Sequence, residues 1–119
     1  MITISTWGEL ARALDSPLDS TARATLSAHR DRLAEYGDYD LSELARFAIL
    51  EPGDQTTALE QASGIRIFVD PPTWESIDDL GGWFELVWVL SDDGFGWVVL
   101  VPDCPGTDRA LLRLCRSHA

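Results

Sequence analysis

Trp83-Phe84-Glu85-Leu86-Val87-Trp88-Val89-Leu90, then Ser91-Asp92-Asp93-Gly94, then Phe95-Gly96-Trp97-Val98-Val99-Leu100-Val101 is the stretch that decides the fold. Val, Trp and Phe fill both arms, and these residues suit a pleated, half-buried surface. Asp-Gly between two such arms signals a hairpin, because Gly tolerates the positive φ of the turn. The loop length stays open. A two-residue loop, Asp93-Gly94, pairs Leu90 with Trp97; a three-residue loop, Asp92-Asp93-Gly94, pairs Ser91 with Phe95. A slip of one residue exchanges the side chains that share a face. Phe84, Leu86, Trp88 and Leu90 make one face of the first arm. Trp83, Val87 and Val89 make the other, with Glu85 as its one charge. In the second arm Phe95, Trp97, Val99 and Val101 oppose Gly96, Val98 and Leu100. A sheet with one wet face alternates apolar and polar residues. This hairpin does not, so either helices cover both faces or one face meets a partner.

The 119 residues suffice for one domain, 1–119, with a hydrophobic core. An apolar content of 45% argues against disorder. No apolar run approaches the ~20 residues of a membrane helix. Met1-Ile2-Thr3-Ile4-Ser5 has no basic segment or apolar core, so no signal peptide is expected and the predicted location is cytoplasmic. Cys104 and Cys115 are too few for a disulfide framework, and His29 and His118 lie far apart, so neither a metal nor a cofactor is expected.

The formal charge is −11, and all nine bases are Arg. Residues 1–66 hold 11 acids and 6 Arg, net −5; residues 67–119 hold 9 acids and 3 Arg, net −6. Between Arg66 and Arg109 stand nine acids and no base: Asp70, Glu75, Asp78, Asp79, Glu85, Asp92, Asp93, Asp103 and Asp108. Such a field repels nucleic acid and draws a basic protein surface. It also serves solubility alone.

Along the chain, Thr6 with Glu9 is a capping box that opens a helix from about Trp7 to Leu14. Ser16-Pro17 opens a second, ending near Tyr36 with Gly37 as C-cap. Asp40 with Glu43 predicts a helix over Leu41–Leu50, stopped by Glu51-Pro52-Gly53. Asp54 caps a helix from Gln55 to Ser63. Ile65–Val69 reads as a strand. Thr73 caps a short helix from Trp74 to Leu80, and Gly81-Gly82 leads into the hairpin. Thr107 or Asp108 starts a last helix carrying Leu111, Leu112, Leu114 and Cys115. The fold class is α+β, a small, mostly antiparallel sheet of about three strands packed with helices.

Several strings carry a resemblance: Tyr39-Asp40-Leu41-Ser42-Glu43-Leu44, Phe47-Ala48-Ile49-Leu50-Glu51-Pro52-Gly53-Asp54, Gly82-Trp83-Phe84-Glu85-Leu86-Val87 and Leu90-Ser91-Asp92-Asp93-Gly94-Phe95-Gly96. With Val101-Pro102-Asp103, Pro105-Gly106-Thr107-Asp108 and Leu111-Leu112-Arg113-Leu114-Cys115, the chain over residues 36–119 resembles a family of small proteins of no established activity. That family is carried by integrative and conjugative elements of proteobacteria. The resemblance implies a mobile-element cargo protein, and small acidic proteins on such elements often look like antagonists of host defence, either anti-restriction or anti-CRISPR. It implies no role for any single residue.

The paired carboxylates Asp78-Asp79 and Asp92-Asp93 diverge on a strand or helix, so neither pair makes a two-metal site. Cys104, between Pro102 and Pro105, has no base nearby in sequence. No nucleophile, base and orienting group can be assembled, and no catalysis is expected. Two binding modes remain beside a third option, a small enzyme dependent on Asp92 or Cys104. In the first, Asp70, Glu75, Asp78, Asp79, Asp92 and Asp93 meet a basic protein surface. In the second, an apolar patch around Trp74, Trp83, Phe95 or Trp97 binds a partner or a second copy of the chain.

Overall fold

Residues 1–69, 74–89 and 96–118 are described by the structure, a computed structural model. The hairpin arms are strands β4 (Trp83–Val89) and β5 (Gly96–Pro102), paired antiparallel. Their register is neither of the two expected: Trp88 faces Trp97 and Val89 faces Gly96. The arms are thus shifted by two residues from the two-residue-loop register, which leaves the faces as that register has them. Phe84, Leu86 and Trp88 lie with Trp97, Val99 and Val101. The loop itself lies outside the described residues.

Three further strands flank the hairpin: β1 (Ile2–Ile4), β2 (Arg46–Ile49) and β3 (Trp74–Asp79). The order is β1-β2-β5-β4-β3, antiparallel except for β2 with β5. The α+β class holds, with a five-stranded mixed sheet where about three strands were expected.

Two expected helices are strands. Asp40 N–H does donate to Glu43 Oε2 at 3.1 Å, as a capping box should, but it closes only a 3₁₀ turn, Leu41–Glu43. Phe47, Ala48, Ile49 and Leu50 then run through the middle of the sheet, buried on both faces. A short apolar run of this kind fits a buried strand as well as a buried helix. The expected helix at Trp74–Leu80 is β3. Gly81 and Gly82 sit at φ 78° and 84°, the pair of positive angles that a two-residue hairpin turn needs, so the chain folds straight back on β4. The expected strand at Ile65–Val69 is a turn. Ile65 and Ile67 are buried, and Ile67 N–H is taken by Glu60 Oε2 rather than by a neighbouring strand.

The helices are α1 (Trp7–Asp15), α2 (Ser20–Ala34), α3 (Thr56–Ser63) and α4 (Arg109–His118). Thr6 caps α1 as expected, its side chain accepting from Glu9 N–H at 3.1 Å. Asp19, not Ser16, caps α2 through Thr21 and Ala22 N–H. Asp54 does not cap α3; its carboxylate accepts from Glu51 N–H at 2.8 Å and meets the Met1 ammonium at 2.9 Å. The N-terminus of α3 is held from 52 residues away, where Asp108 Oδ2 accepts from Thr56 N–H at 3.2 Å. Asp108 Oδ1 also accepts from Ala110 N–H at 3.0 Å, so one carboxylate serves two helix starts.

Helices cover both faces of the hairpin. On one side Leu59 of α3 and Leu111, Leu112 and Cys115 of α4 pack on Ala48, Phe84, Leu86, Val99 and Val101. On the other, Leu10, Ala13, Ala22, Leu26 and Leu33 of α1 and α2 pack on Phe47, Ile49, Val98 and Leu100. The continuous apolar character of β5 follows, since every side chain it carries after Gly96 is buried.

Candidate interaction surface

Among the described residues strand β3 ends the sheet, and one of its edges has no neighbouring strand there. Leu80 N–H donates to Trp83 O at 2.8 Å across the Gly81-Gly82 turn. Antiparallel pairs alternate between bonded and non-bonded, so Ser76 and Asp78 share the inward bonds with Val87 and Glu85. The N–H and C=O of Ile77 and Asp79 therefore face outward. Glu75, Asp78 and Asp79 are all exposed along this strand. Asp78 lies on the α1–α2 face with Glu85, Asp79 on the α3–α4 face with Phe84, and Glu75 at the irregularity between Trp74 and Ser76. Asp79 Oδ1 accepts from Gly81 N–H at 2.9 Å and holds the turn. Among the described residues none of these three carboxylates has an ionic partner, whereas Asp31, Asp54 and Asp103 do.

The other proposed contact residues are distributed differently. Asp70, Asp92, Asp93 and Phe95 lie outside the described residues. Trp97 is 6% exposed and Trp88 also 6%, both inside the core. Trp74, half-buried, meets Trp88 edge to face with centroids 4.6 Å apart. Trp74, Trp88 and Trp97 thus stand side by side across three strands, a packed row and not an open patch. Trp83 is half-buried against the α1–α2 layer. Among the described residues the exposed large apolar side chains are elsewhere: Tyr36, Tyr39, Phe68 and Val69.

No protein family, curated protein or solved structure matches the chain. The functional reading therefore rests on this molecule's own chemistry.

One polar cluster escaped the sequence reading. His29 of α2 lies 2.8 Å from Glu85 Oε2, and Arg32 lies 2.9 Å from His29 Nδ1. Arginine can only donate, so Nδ1 accepts and Nε2 carries the proton toward Glu85. Both ring nitrogens are engaged, and the imidazole has no lone pair left for a substrate proton. His29 also packs edge-on against Phe47, so the cluster ties α2 to the sheet. The available signal was Glu85 itself, a lone charge on an otherwise apolar strand face.

The two thiols differ sharply. The Thr107 hydroxyl, then the Gly106 N–H, hold Cys104 below its ordinary thiol pKa against an opposing effect of burial. Cys104 lies in a shallow depression with Asp103, Arg109 and Arg116, where Arg116 pairs with Asp103 at 2.7 Å. Burial pushes Cys115 up to about 12 and keeps it protonated. Among the described residues no three of His, Cys, Asp and Glu converge as a metal site. No helix among them is long and apolar enough to cross a membrane.

Proposed function

We propose that this chain is a non-catalytic acidic interaction protein that docks on a basic protein surface through the β3 edge. Its proposed setting is the cytoplasm of a cell carrying a mobile element, where it restrains a host-defence protein of the restriction or CRISPR kind. The supporting observation is the run of Glu75, Asp78 and Asp79, three exposed carboxylates on one short strand with no ionic partner among the described residues. Unpaired surface carboxylates gain most from an incoming cation and repel nucleic acid. The apolar alternative has less support, because the hairpin's two faces are spent on the core and Trp97 is inside it.

The test is affinity capture on the immobilised protein from a host carrying restriction and CRISPR systems, with washes at low and high salt. A defence component retained at low salt and released at high salt is expected. Asp78→Lys with Asp79→Lys should abolish capture. Recovery of no such component, together with unaltered restriction of plasmid or phage in cells making the protein, refutes the proposal.

A further inference from the structure

We propose, resting on the acidic docking surface above, that β3 receives its partner as an added strand: an extended, Lys- or Arg-bearing segment that pairs with the open edge. Three independent features converge on this. The first is the backbone. Ile77 and Asp79 present N–H and C=O groups outward, and among the described residues no hydrogen bond takes either N–H. An open edge of this kind is a template for a further strand.

The second is where the acids stand. A strand added to this edge sends successive side chains to opposite faces of the sheet. Asp78 waits on one face and Asp79 on the other, so basic residues at neighbouring positions of the guest would each meet a carboxylate directly across. An acidic or neutral segment gains nothing, and an acidic one is repelled. The same logic excludes a second copy of this edge. Two β3 strands brought together antiparallel would set Asp79 against Glu75 in one register and Asp78 against Asp78 in the next, like charges directly across.

The third is that the rest of the strand is fixed. Ile77 is 8% exposed and packs in the α3–α4 core, and the Gly81-Gly82 turn locks β3 to β4. The template is therefore preformed, and the guest alone bears the cost of ordering. The irregularity at Trp74/Ser76 limits the regular ladder to the Ser76–Asp79 end, so the pairing is short and leans on charge. Such binding is weak in high salt.

The test uses the full chain and a synthetic peptide of about eight residues in which pairs of neighbouring Lys alternate with pairs of Thr, so that each face of the guest strand carries Lys. It is compared with a peptide of the same sequence whose backbone is N-methylated at alternate positions, which keeps the charge and removes the ladder donors. Binding is followed by isothermal titration and by amide exchange. The unmethylated peptide is expected to bind and to slow exchange at Ile77 and Asp79. The methylated peptide should bind about tenfold more weakly. Equal binding of both peptides, still lost in Asp78→Lys/Asp79→Lys, overturns strand addition and leaves the acidic docking surface standing. Peptide binding indifferent to that double substitution overturns both. Absence of binding by either peptide at low salt overturns strand addition at this edge, and the capture experiment then decides the acidic surface separately.

Discussion

Asp108→Ala should cost this protein more than any other exposed or half-buried acid-to-alanine change on the α3–α4 side. The carboxylate accepts from Ala110 N–H at the start of α4 and from Thr56 N–H at the start of α3. Loss of the first is an ordinary N-cap deletion, about 1 kcal/mol. Loss of the second strands an N–H at a residue only 4% exposed, which costs a further ~1–3 kcal/mol. Asp108 is itself half-buried, so water replaces part of the loss, and the lower half of that range applies. The sum is about 2–3 kcal/mol, or a melting temperature lower by roughly 10 °C for a chain of this size. Urea unfolding followed by tryptophan fluorescence at pH 7 measures it. The acid limb gives a second check. Thr56 N–H, more than any other group, holds the folded-state pKa of Asp108 below its ordinary value of 3.8. Its stabilisation is therefore complete above about pH 4 and is lost as pH falls through the lowered pKa. The gap between wild type and Asp108→Asn should narrow below about pH 4. An Asp108→Ala protein within about 0.5 kcal/mol of wild type at pH 7 refutes the two-helix clamp.

Other substitutions probe the remaining features. Gly106→Ala places a Cβ 2.9 Å from Pro52 Cβ, where Gly53 N–H already bonds Gly106 O, so urea titration should show a loss of about 1–3 kcal/mol. Gly8→Ala, in α1 with its nearest neighbour 3.8 Å away, should instead stabilise by about 0.5–1 kcal/mol in the same assay. Glu85→Ala strips the half-buried His29 of its acceptor and should cost about 1–2 kcal/mol; His29→Leu with Glu85→Leu should recover part of that, as a double-mutant cycle will read. A thiol reagent should titrate Cys104 alone in the native protein and Cys115 only after denaturation, two distinct steps in a time course.

Local chemistry was legible in the sequence and long-range pairing was not. The Thr6–Glu9 box, the two-faced hairpin and the last helix all declare themselves within a few residues. Phe47–Leu50 does not, because its strand character comes from β5, about fifty residues later, and β-branching is present only at Ile49. Gly81-Gly82 was the missed clue to β3. A Gly-Gly pair between two apolar segments specifies a tight hairpin, and that turn outweighs the helix signal of Thr73. Met1–Ser5 holds too short an apolar run to announce β1. At the candidate site the acids of 75–79 were visible as charge, yet only the strand order reveals that they line an edge. His29 and Glu85 stand 56 positions apart, and no pattern within one element connects them.

The parallel pairing of β2 with β5 has a consequence for how the chain is made. Phe47, Ala48, Ile49 and Leu50 leave the ribosome long before the strand that will lie beside them exists. α1, α2 and β1 can gather on one side of β2 in the meantime, but the sheet cannot close until Trp97–Leu100 arrive. Loop closure of that length slows folding, and an unfinished chain carries a sticky apolar segment meanwhile. Slower translation should therefore favour aggregation of this protein.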